Sequence, residues 1–203
     1  MLYPPKSSRA LKTTDGHVNE FQNFFNELRS RWVKVERLQE YDESDFEGYR
    51  AFKRGNYSQA SRLVQEMVKG QTEVYSHVQR FGVQMVRVRI YDLPLSPYLI
   101  HYEIPAYLAD IECGEDIRFI HSKEIDELLV ETGLSDYVLY DDKRVTAIVY
   151  DLATATVKEV LLNENPDVVA EYVALSDQLI ARSTPMLESD VYQTLNEQYH
   201  WQD

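Results

Sequence analysis

Residues 83–121 read VQMVRVRIYDLPLSPYLIHYEIPAYLADIECGEDIRFIH, and this stretch decides the fold. Residues 83–91 alternate apolar and polar side chains and are rich in β-branched residues, which predicts a strand. Residues 98–111 predict a helix that Pro105 would kink or split, and residues 117–121 predict a second short strand. Since a strand, a helical crossover and another strand form a β-α-β unit, we expect the two strands to run parallel.

The next part of the chain predicts an antiparallel meander followed by a long helix. Short apolar runs separated by brief polar loops are typical of strands joined by tight turns, and they occupy residues 137–140, 145–150 and 157–162. Asn165 and Pro166 are suited to the N-cap and first position of a helix that Pro185 ends. Residues 81–185 therefore predict an α/β or α+β core domain, with helices packed on a mixed sheet of about five strands.

The first 80 residues predict a helical N-terminal section. Residues 1–16 lack periodicity and are expected to be a mobile lead-in. From Phe21 to Leu38, apolar residues recur at three- and four-residue steps, which predicts one helix ending near Tyr41. Its aromatic side chains predict burial, either within the chain or in a homodimer.

Two more helices are expected before residue 80. Ser44, with Glu47 three residues on, fits a capping box for a helix that stops at Gly55. Ser58 is expected to cap the next helix, which breaks at Gly70. The helical section 17–80 either covers the sheet or stands as a separate small domain, and residues 186–203 predict a C-terminal tail or a short helix.

The charge of −13 is distributed unevenly over the 203 residues. Residues 1–80 hold 13 Lys/Arg and 11 Asp/Glu, a net charge of +2, and residues 81–203 hold 8 and 23, a net charge of −15. An acidic half repels phosphate backbones, which argues against direct nucleic-acid binding. It favours a basic partner protein, although solubility alone also explains a charged surface.

Several classes of site are absent from the sequence. The chain has no Gly-rich phosphate loop, no CxxC pair and no GxSxG elbow, so we expect no nucleotide cofactor, no structural zinc and no catalytic serine of these types. The single cysteine, Cys113, excludes an internal disulfide, and its acidic neighbours predict a raised thiol pKa. No apolar run could cross a bilayer, and no signal peptide is recognisable. We therefore predict a cytoplasmic protein.

Arg87 and Arg89 are the strongest candidates for a binding site. They share the face of the first strand opposite Val86, Val88 and Ile90, and ligands tend to bind at the carboxyl end of such strands. Two guanidinium groups could hold a carboxylate or phosphate. The residues expected nearby are Tyr98, Glu103, Asp141 and His101.

The alternative for the two arginines is an internal ion-pair network with Glu103, Glu115 or Asp141. His101 and Glu103 lie two residues apart and would share a face on a strand, where they could bind a metal or do acid–base work, but a surface or packed histidine is the favoured explanation of His101. Asp141 and Asp142 fit a hairpin turn, because Asp bonds its own backbone. No catalytic residue and no metal ligand is assigned.

The chain resembles an uncharacterised actinobacterial family, filed as a domain of unknown function, over residues of about 20–185. The matching pieces are FQNFFNELRSRWVKVERLQEY, RVRIYDLPLSPYLIHYE, CGEDIRFI and DYVLYDDKRVTAIVYD, followed by the helix of residues 166–185. Genes of that family are often found near helix-turn-helix regulators. The resemblance implies a fold and a genomic neighbourhood, and no activity.

The order of elements is also distantly similar to half of a phospholipase D-like domain, whose enzymes use a His-x-Lys-x-x-x-x-Asp motif. If Asp141 matches the motif's Asp, Leu134 and Asp136 stand at the His and Lys positions. If Asp142 does, Ser135 and Tyr137 stand there. The similarity therefore implies a degenerate domain that serves as a sensor or docking surface.

These observations favour a non-catalytic regulatory or protein-interaction module that binds a basic partner, such as a helix-turn-helix regulator. One alternative is an enzyme or sensor that binds a small anionic or nucleotide-like ligand through Arg87 and Arg89. Another is an acidic antitoxin or DNA mimic, which requires carboxylates spaced like phosphates along one face.

Overall fold

The computed structural model of the protein describes residues 3–14, 17–199 and 201. Within these ranges, eight strands form one mixed sheet and two more form a small ribbon. The predicted α/β class is confirmed, but the sheet is larger than the five strands expected. The strands are β1 Arg9–Ala10, β2 Thr13–Thr14, β3 His17–Val18, β4 Arg31–Glu36, β5 Gln84–Tyr91, β6 Asp116–His121, β7 Tyr137–Tyr140, β8 Arg144–Asp151, β9 Thr156–Asn163 and β10 Thr184–Pro185.

Helices cover both faces of the sheet. They are α1 Asn19–Glu27, α2 Glu47–Lys53, α3 Tyr57–Lys69, α4 Thr72–Phe81, α5 Ile104–Glu112, α6 Asp126–Thr132, α7 Pro166–Arg182 and α8 Asp190–Tyr199. A π-helical turn, Leu99–Glu103, leads directly into α5, so that Pro105 falls in the first turn of an α-helix, where it is tolerated. Among the described residues, we find no helix with the length and apolar character that crossing a membrane requires.

The strand order is β1-β9-β8-β7-β4-β5-β6-β10. Strands β5 and β6 pair in parallel, as the β-α-β pattern predicts, with Arg87 opposite Ile117. Strands β7, β8 and β9 form the predicted antiparallel meander. Strand β4 lies between the two groups, parallel to β5 and antiparallel to β7.

The prediction of one helix from Phe21 to Tyr41 is wrong. Helix α1 ends at Glu27, and Arg31–Glu36 forms β4 at the centre of the sheet. The sequence RWVKVE alternates as a strand does, and Val33 and Val35 are fully buried on one face. Without β4, strands β5 and β7 would leave their facing backbone groups unpaired, which explains why strand pairing outweighs the helical spacing.

The predicted helix caps are partly wrong. Helix α2 begins after Phe46 without a side-chain cap, so Ser44 and Glu47 form no capping box, and Asn56 rather than Ser58 caps α3. Asn165 does cap α7, as predicted, by accepting a hydrogen bond from the backbone N–H of Asp167 at 2.9 Å.

The chain ends contribute to the same sheet. The segment expected to be a mobile lead-in supplies β1, which pairs with β9, and its residues 1, 2, 15 and 16 lie outside the described residues. The segment predicted as a tail or short helix contains α8, and its residues 200, 202 and 203 lie outside the description.

The sheet separates two apolar layers. On one face, α1 to α5 and α8 pack over Met85, Phe119 and Tyr140. On the other, α6 and α7 pack over Val33, Val35 and other branched residues of β5 to β8. The face beneath α1 to α5 also carries the polar side chains of β4 and β5, and it holds the candidate site.

Replacing Val33 by Ala tests the central position of β4. Val33 is 0% exposed, so we expect its truncation to lower the free energy of unfolding by roughly 1–3 kcal/mol, measured by urea denaturation. Val130→Ala is the matched control, because Val130 is 81% exposed on α6. Equal effects of the two substitutions would contradict the burial of β4.

Candidate functional site

A cavity of about 450 Å³ lies between the sheet and helices α3, α4 and α5. One wall is mainly apolar and is formed by side chains of α1, α3 and α4, including Phe25, Val64, Met67, Val68 and Val74. The opposite wall is charged, with Lys34, Glu36, Glu43, Arg87, Glu103, Asp110 and Glu115. The lining includes three exposed residues, Asp42, Gln71 and Val157, so the cavity is open to solvent.

Strand register brings the charged side chains together. Lys34 lies opposite Arg87, and Glu36 lies opposite Arg89, on the parallel pair β4–β5. Because side chains alternate along a strand, these four face the cavity side of the sheet while Val33, Val35 and Val88 face α6 and α7. Arg87 and Arg89 do share one face, as the sequence predicts.

Arg87 is held by three carboxylates. Its Nε lies 2.8 Å from Oε1 of Glu115, its Nη1 lies 3.3 Å from Oε1 of Glu36, and its Nη2 lies 3.7 Å from Oδ2 of Asp110. Glu36, Asp110 and Glu115 are all buried. The guanidinium of Arg87 is therefore neutralised by the protein itself.

Arg89 is fully buried behind the cavity wall. Its Nε donates to the hydroxyl of Tyr107 at 2.8 Å, its Nη1 donates to the carbonyl of Leu38 at 2.7 Å, and its Nη2 lies 3.2 Å from Oε2 of Glu36. Burial alone would raise the pKa of Glu36, but the charges of Lys34, Arg87 and Arg89 hold it well below the ordinary value. Glu36 thus remains ionised at the centre of the cluster.

A second pair of carboxylates lies beside this cluster. The buried hydroxyl of Tyr98 lies 3.1 Å from Oε2 of Glu43 and also donates a short hydrogen bond to Glu103. Burial first, and then the charge of Glu103, raises the pKa of Glu43 to about 7. The nearest cation to Glu103 is Arg89, with Nη2 at 4.0 Å from Oε2.

The structure gathers four of the five predicted site residues. Arg87 and Glu103 line the cavity, Arg89 and Tyr98 contact Glu103 from behind its wall, and Asp141 lies at the opposite end of β4. The ion-pair alternative is confirmed, since Arg87 pairs with Glu115 at 2.8 Å and Arg89 lies 4.0 Å from Glu103, while Asp141 contacts neither arginine. Glu36 and Glu43 were missed because the sequence around them was interpreted as helical, although the Lys-Val-Glu alternation was visible.

Asp141 instead forms the turn between β7 and β8. Its carboxylate accepts hydrogen bonds from the backbone N–H groups of Arg29, Ser30 and Arg31, at 2.8 to 3.1 Å, and from the hydroxyl of Ser30. Asp141 and Asp142 have φ of 50° and 56°, a conformation that Asp tolerates. Partial burial opposes ionisation, but these donors lower the pKa of Asp141.

The described histidines lie outside the cavity. His101 stacks on Tyr57 with ring centroids 3.9 Å apart, and it makes no pair with Glu103, which bonds Tyr98 instead. Within the described ranges, no three His, Cys, Asp or Glu side chains are grouped so that they could hold a metal ion. Cys113 has a raised pKa, as predicted, because of burial and then the charge of Asp110.

One protein family matches most of the chain. The family model described as "Domain of unknown function (DUF6879)" matches residues 19–188. A comparison with curated proteins gave no match.

The solved structures to which the chain is similar include the following two proteins. The phospholipase D family member Nuc from Salmonella typhimurium superposes with a TM-score of 0.51 and 9% identity, covering 88% of this chain and 96% of that protein. TrmBL2, described as an archaeal chromatin protein with a novel mode of DNA binding, gives a TM-score of 0.46 and 12% identity over 88% of this chain. This chain spans 54% of the length of TrmBL2. The likeness to Nuc shows a shared fold alone.

Replacing Asp141 by Asn tests the turn. An amide cannot accept all the backbone hydrogen bonds that the carboxylate accepts, so we expect the free energy of unfolding to fall by roughly 1–2 kcal/mol in urea denaturation. Asp142→Asn is the matched control, since it keeps the turn and weakens only the exposed ion pair with Arg31. An equal loss in both variants would contradict the role given to Asp141.

Replacing Glu43 by Gln tests the raised pKa. At pH values between the ordinary pKa of 4.5 and the raised pKa of about 7, Glu43 keeps its proton in the folded state but has lost it in the unfolded state. The stability that this proton contributes is fully present below the ordinary pKa and is lost as the pH rises through the raised pKa. Compared with the wild type, Glu43→Gln should be more stable by roughly 1–3 kcal/mol at about pH 8 and similar at about pH 5.

The measurement is urea denaturation across this pH range. Glu73→Gln is the control, because Glu73 is exposed on α4 and the substitution removes the same charge. A difference between Glu43→Gln and the wild type that does not change with pH would contradict the raised pKa.

Proposed function

The chain belongs to the family described as Domain of unknown function (DUF6879), and on that premise we propose that it is a non-catalytic regulatory module that binds a basic partner protein. The single observation that supports this proposal best is the charge of the layer formed by α6 and α7. The exposed residues of these two helices include many more carboxylates than cations.

Six exposed carboxylates lie on α6 and α7, and one exposed arginine, Arg182, accompanies them. The carboxylates are Asp126, Glu127, Glu131, Asp167, Glu171 and Asp177. By contrast, α2, α3 and α4 on the opposite face carry five Lys/Arg and three Glu. This asymmetry favours approach of a basic surface towards α6 and α7.

The cavity supports the non-catalytic part of the proposal. Arg87 and Arg89 are held by internal carboxylates, so an incoming anion would have to displace Glu36 or Glu115. No histidine among the described residues lines the cavity. A small anionic or nucleotide-like ligand would therefore find no unpaired cation among the described residues that line the cavity.

We propose a helix-turn-helix regulator as the partner, acting in the cytoplasm. The resemblance to a family whose genes lie near such regulators supports the choice, and such regulators carry basic surfaces for DNA. An antitoxin or DNA mimic would use the same acidic layer, and it would compete with DNA for the regulator. Competition is therefore the outcome that separates these two functions.

The test reverses three charges on the proposed surface. The variant Glu127→Lys, Glu131→Lys and Glu171→Lys should bind a purified regulator, encoded beside a gene of this family, roughly tenfold or more weakly than the wild type. Affinity of the wild type should also fall as salt rises. The measurement is titration calorimetry, with and without the regulator's DNA.

The control reverses three exposed carboxylates elsewhere, Glu159→Lys, Glu188→Lys and Glu197→Lys, and has the same net charge. It should bind nearly as the wild type does. Equal weakening by both triple variants would show attraction to net charge alone and would overturn the assignment to α6 and α7.

A further inference from the structure

We propose that the cavity beneath α3, α4 and α5 binds an organic cation, an ammonium or guanidinium group on an apolar stem, between Glu43 and Glu103. This site lies on the face of the sheet opposite α6 and α7. It is therefore independent of the proposed partner surface.

The charges that line the cavity do not balance. Lys34 and Arg87 are already paired with three carboxylates, those of Glu36, Asp110 and Glu115. Glu43 and Glu103 share the hydroxyl of Tyr98, and within the described ranges no cation lies closer to either carboxylate than Arg89, at 4.0 Å from Glu103. A ligand cation would supply the missing countercharge.

The hydroxyl of Tyr102 belongs to the same end of the cavity. Tyr102 is 2% exposed and lines the cavity. Burial first, and then the charges of Glu43 and Glu103 and a side-chain hydrogen bond with Glu43, raise the pKa of this hydroxyl, so it lies beside both carboxylates. A hydroxyl that donates to a carboxylate keeps oxygen lone pairs, with which it can accept a hydrogen bond from an ammonium or guanidinium N–H.

Aromatic rings complete the polar end of the cavity. Tyr41, Tyr102 and Tyr150 line it together, and the rings of Tyr41 and Tyr150 have centroids 5.5 Å apart. Aromatic faces attract cations, and rings of this kind are a common means of holding ammonium groups. The negative faces of the rings offer no comparable attraction to a carboxylate or phosphate.

The apolar wall defines the rest of the ligand. Side chains of Phe25, Val64, Met67 and Val74 face the charged wall across the cavity. A volume of about 450 Å³ is in the range of small-molecule sites. The ligand is therefore a short alkyl or aryl cation, either a free amine or the side chain of a lysine or arginine in another protein.

Calorimetry with small probes tests the proposal. Phenethylammonium and agmatine should bind saturably, whereas phenethyl alcohol and phenylacetate, which match the stem without the positive charge, should not. Binding of the alcohol or the carboxylate as tightly as the amine would overturn the proposal. A blocked lysine-containing tripeptide distinguishes the sources: tighter binding than the free amines indicates a protein side chain, and weaker binding indicates a small molecule.

Two conservative variants locate the site. Glu43→Gln should weaken phenethylammonium binding roughly tenfold, and Tyr102→Phe should weaken it about threefold, since it loses one hydrogen bond. Glu73→Gln, an exposed change of equal charge on α4, should bind as the wild type does. Unchanged affinity in Glu43→Gln would overturn the site.

The pH dependence provides a further readout. Cation binding favours ionised Glu43, so wild-type affinity should rise between about pH 6 and pH 8, and that of Glu43→Gln should not. The titratable or charged groups facing Glu43 are Glu103, Tyr98 and Tyr102 from the crossover, Lys34 and Glu36 from β4, and Tyr150 from β8. The triple variant on α6 and α7 should bind phenethylammonium normally, which separates this site from the partner surface.

Discussion

The buried ion cluster of Arg87, Arg89, Glu36, Asp110 and Glu115 constrains the rest of the structure. Removing such charges from water costs several kcal/mol for each ion. The attraction between the ions offsets this cost only when they are closely paired and hydrogen-bonded. The cluster joins β4, β5 and the end of α5, so none of these elements can shift without leaving a charge unpaired. This requirement fixes the charged wall of the cavity, and it leaves the arginines paired with carboxylates of the protein itself.

The fold could be predicted where local pattern and global pairing agree. Strands β5 to β9 have period-two alternation and turn residues at their ends, so the crossover and the meander were visible. Strand β4 was not predicted, although its residues alternate, because Trp32, Val35 and Leu38 also fit helical spacing. Its identity depends on the backbone groups of β5 and β7, which are distant in sequence. Strands of two residues, such as β1 and β10, are too short to have a pattern.

The residues of the candidate site also divide into those that could be predicted from the sequence and those that could not. Arg87 and Arg89 follow from alternation along β5, and Glu103 follows from the crossover that returns over the sheet. Glu36 and Glu43 depend on β4 and could not be placed without it. Asp141 was expected near the arginines, but it lies at the start of β4, whereas the paired charges lie at its end.

The two-residue strands at both margins of the sheet limit how copies of the chain can associate. A long edge strand with unpaired backbone amides can pair with a strand of another chain. Short edge strands, or a proline such as Pro185 in β10, make such pairing less favourable. Sheet extension between molecules is therefore disfavoured. The helical layers offer side chains rather than backbone amides for contacts between molecules.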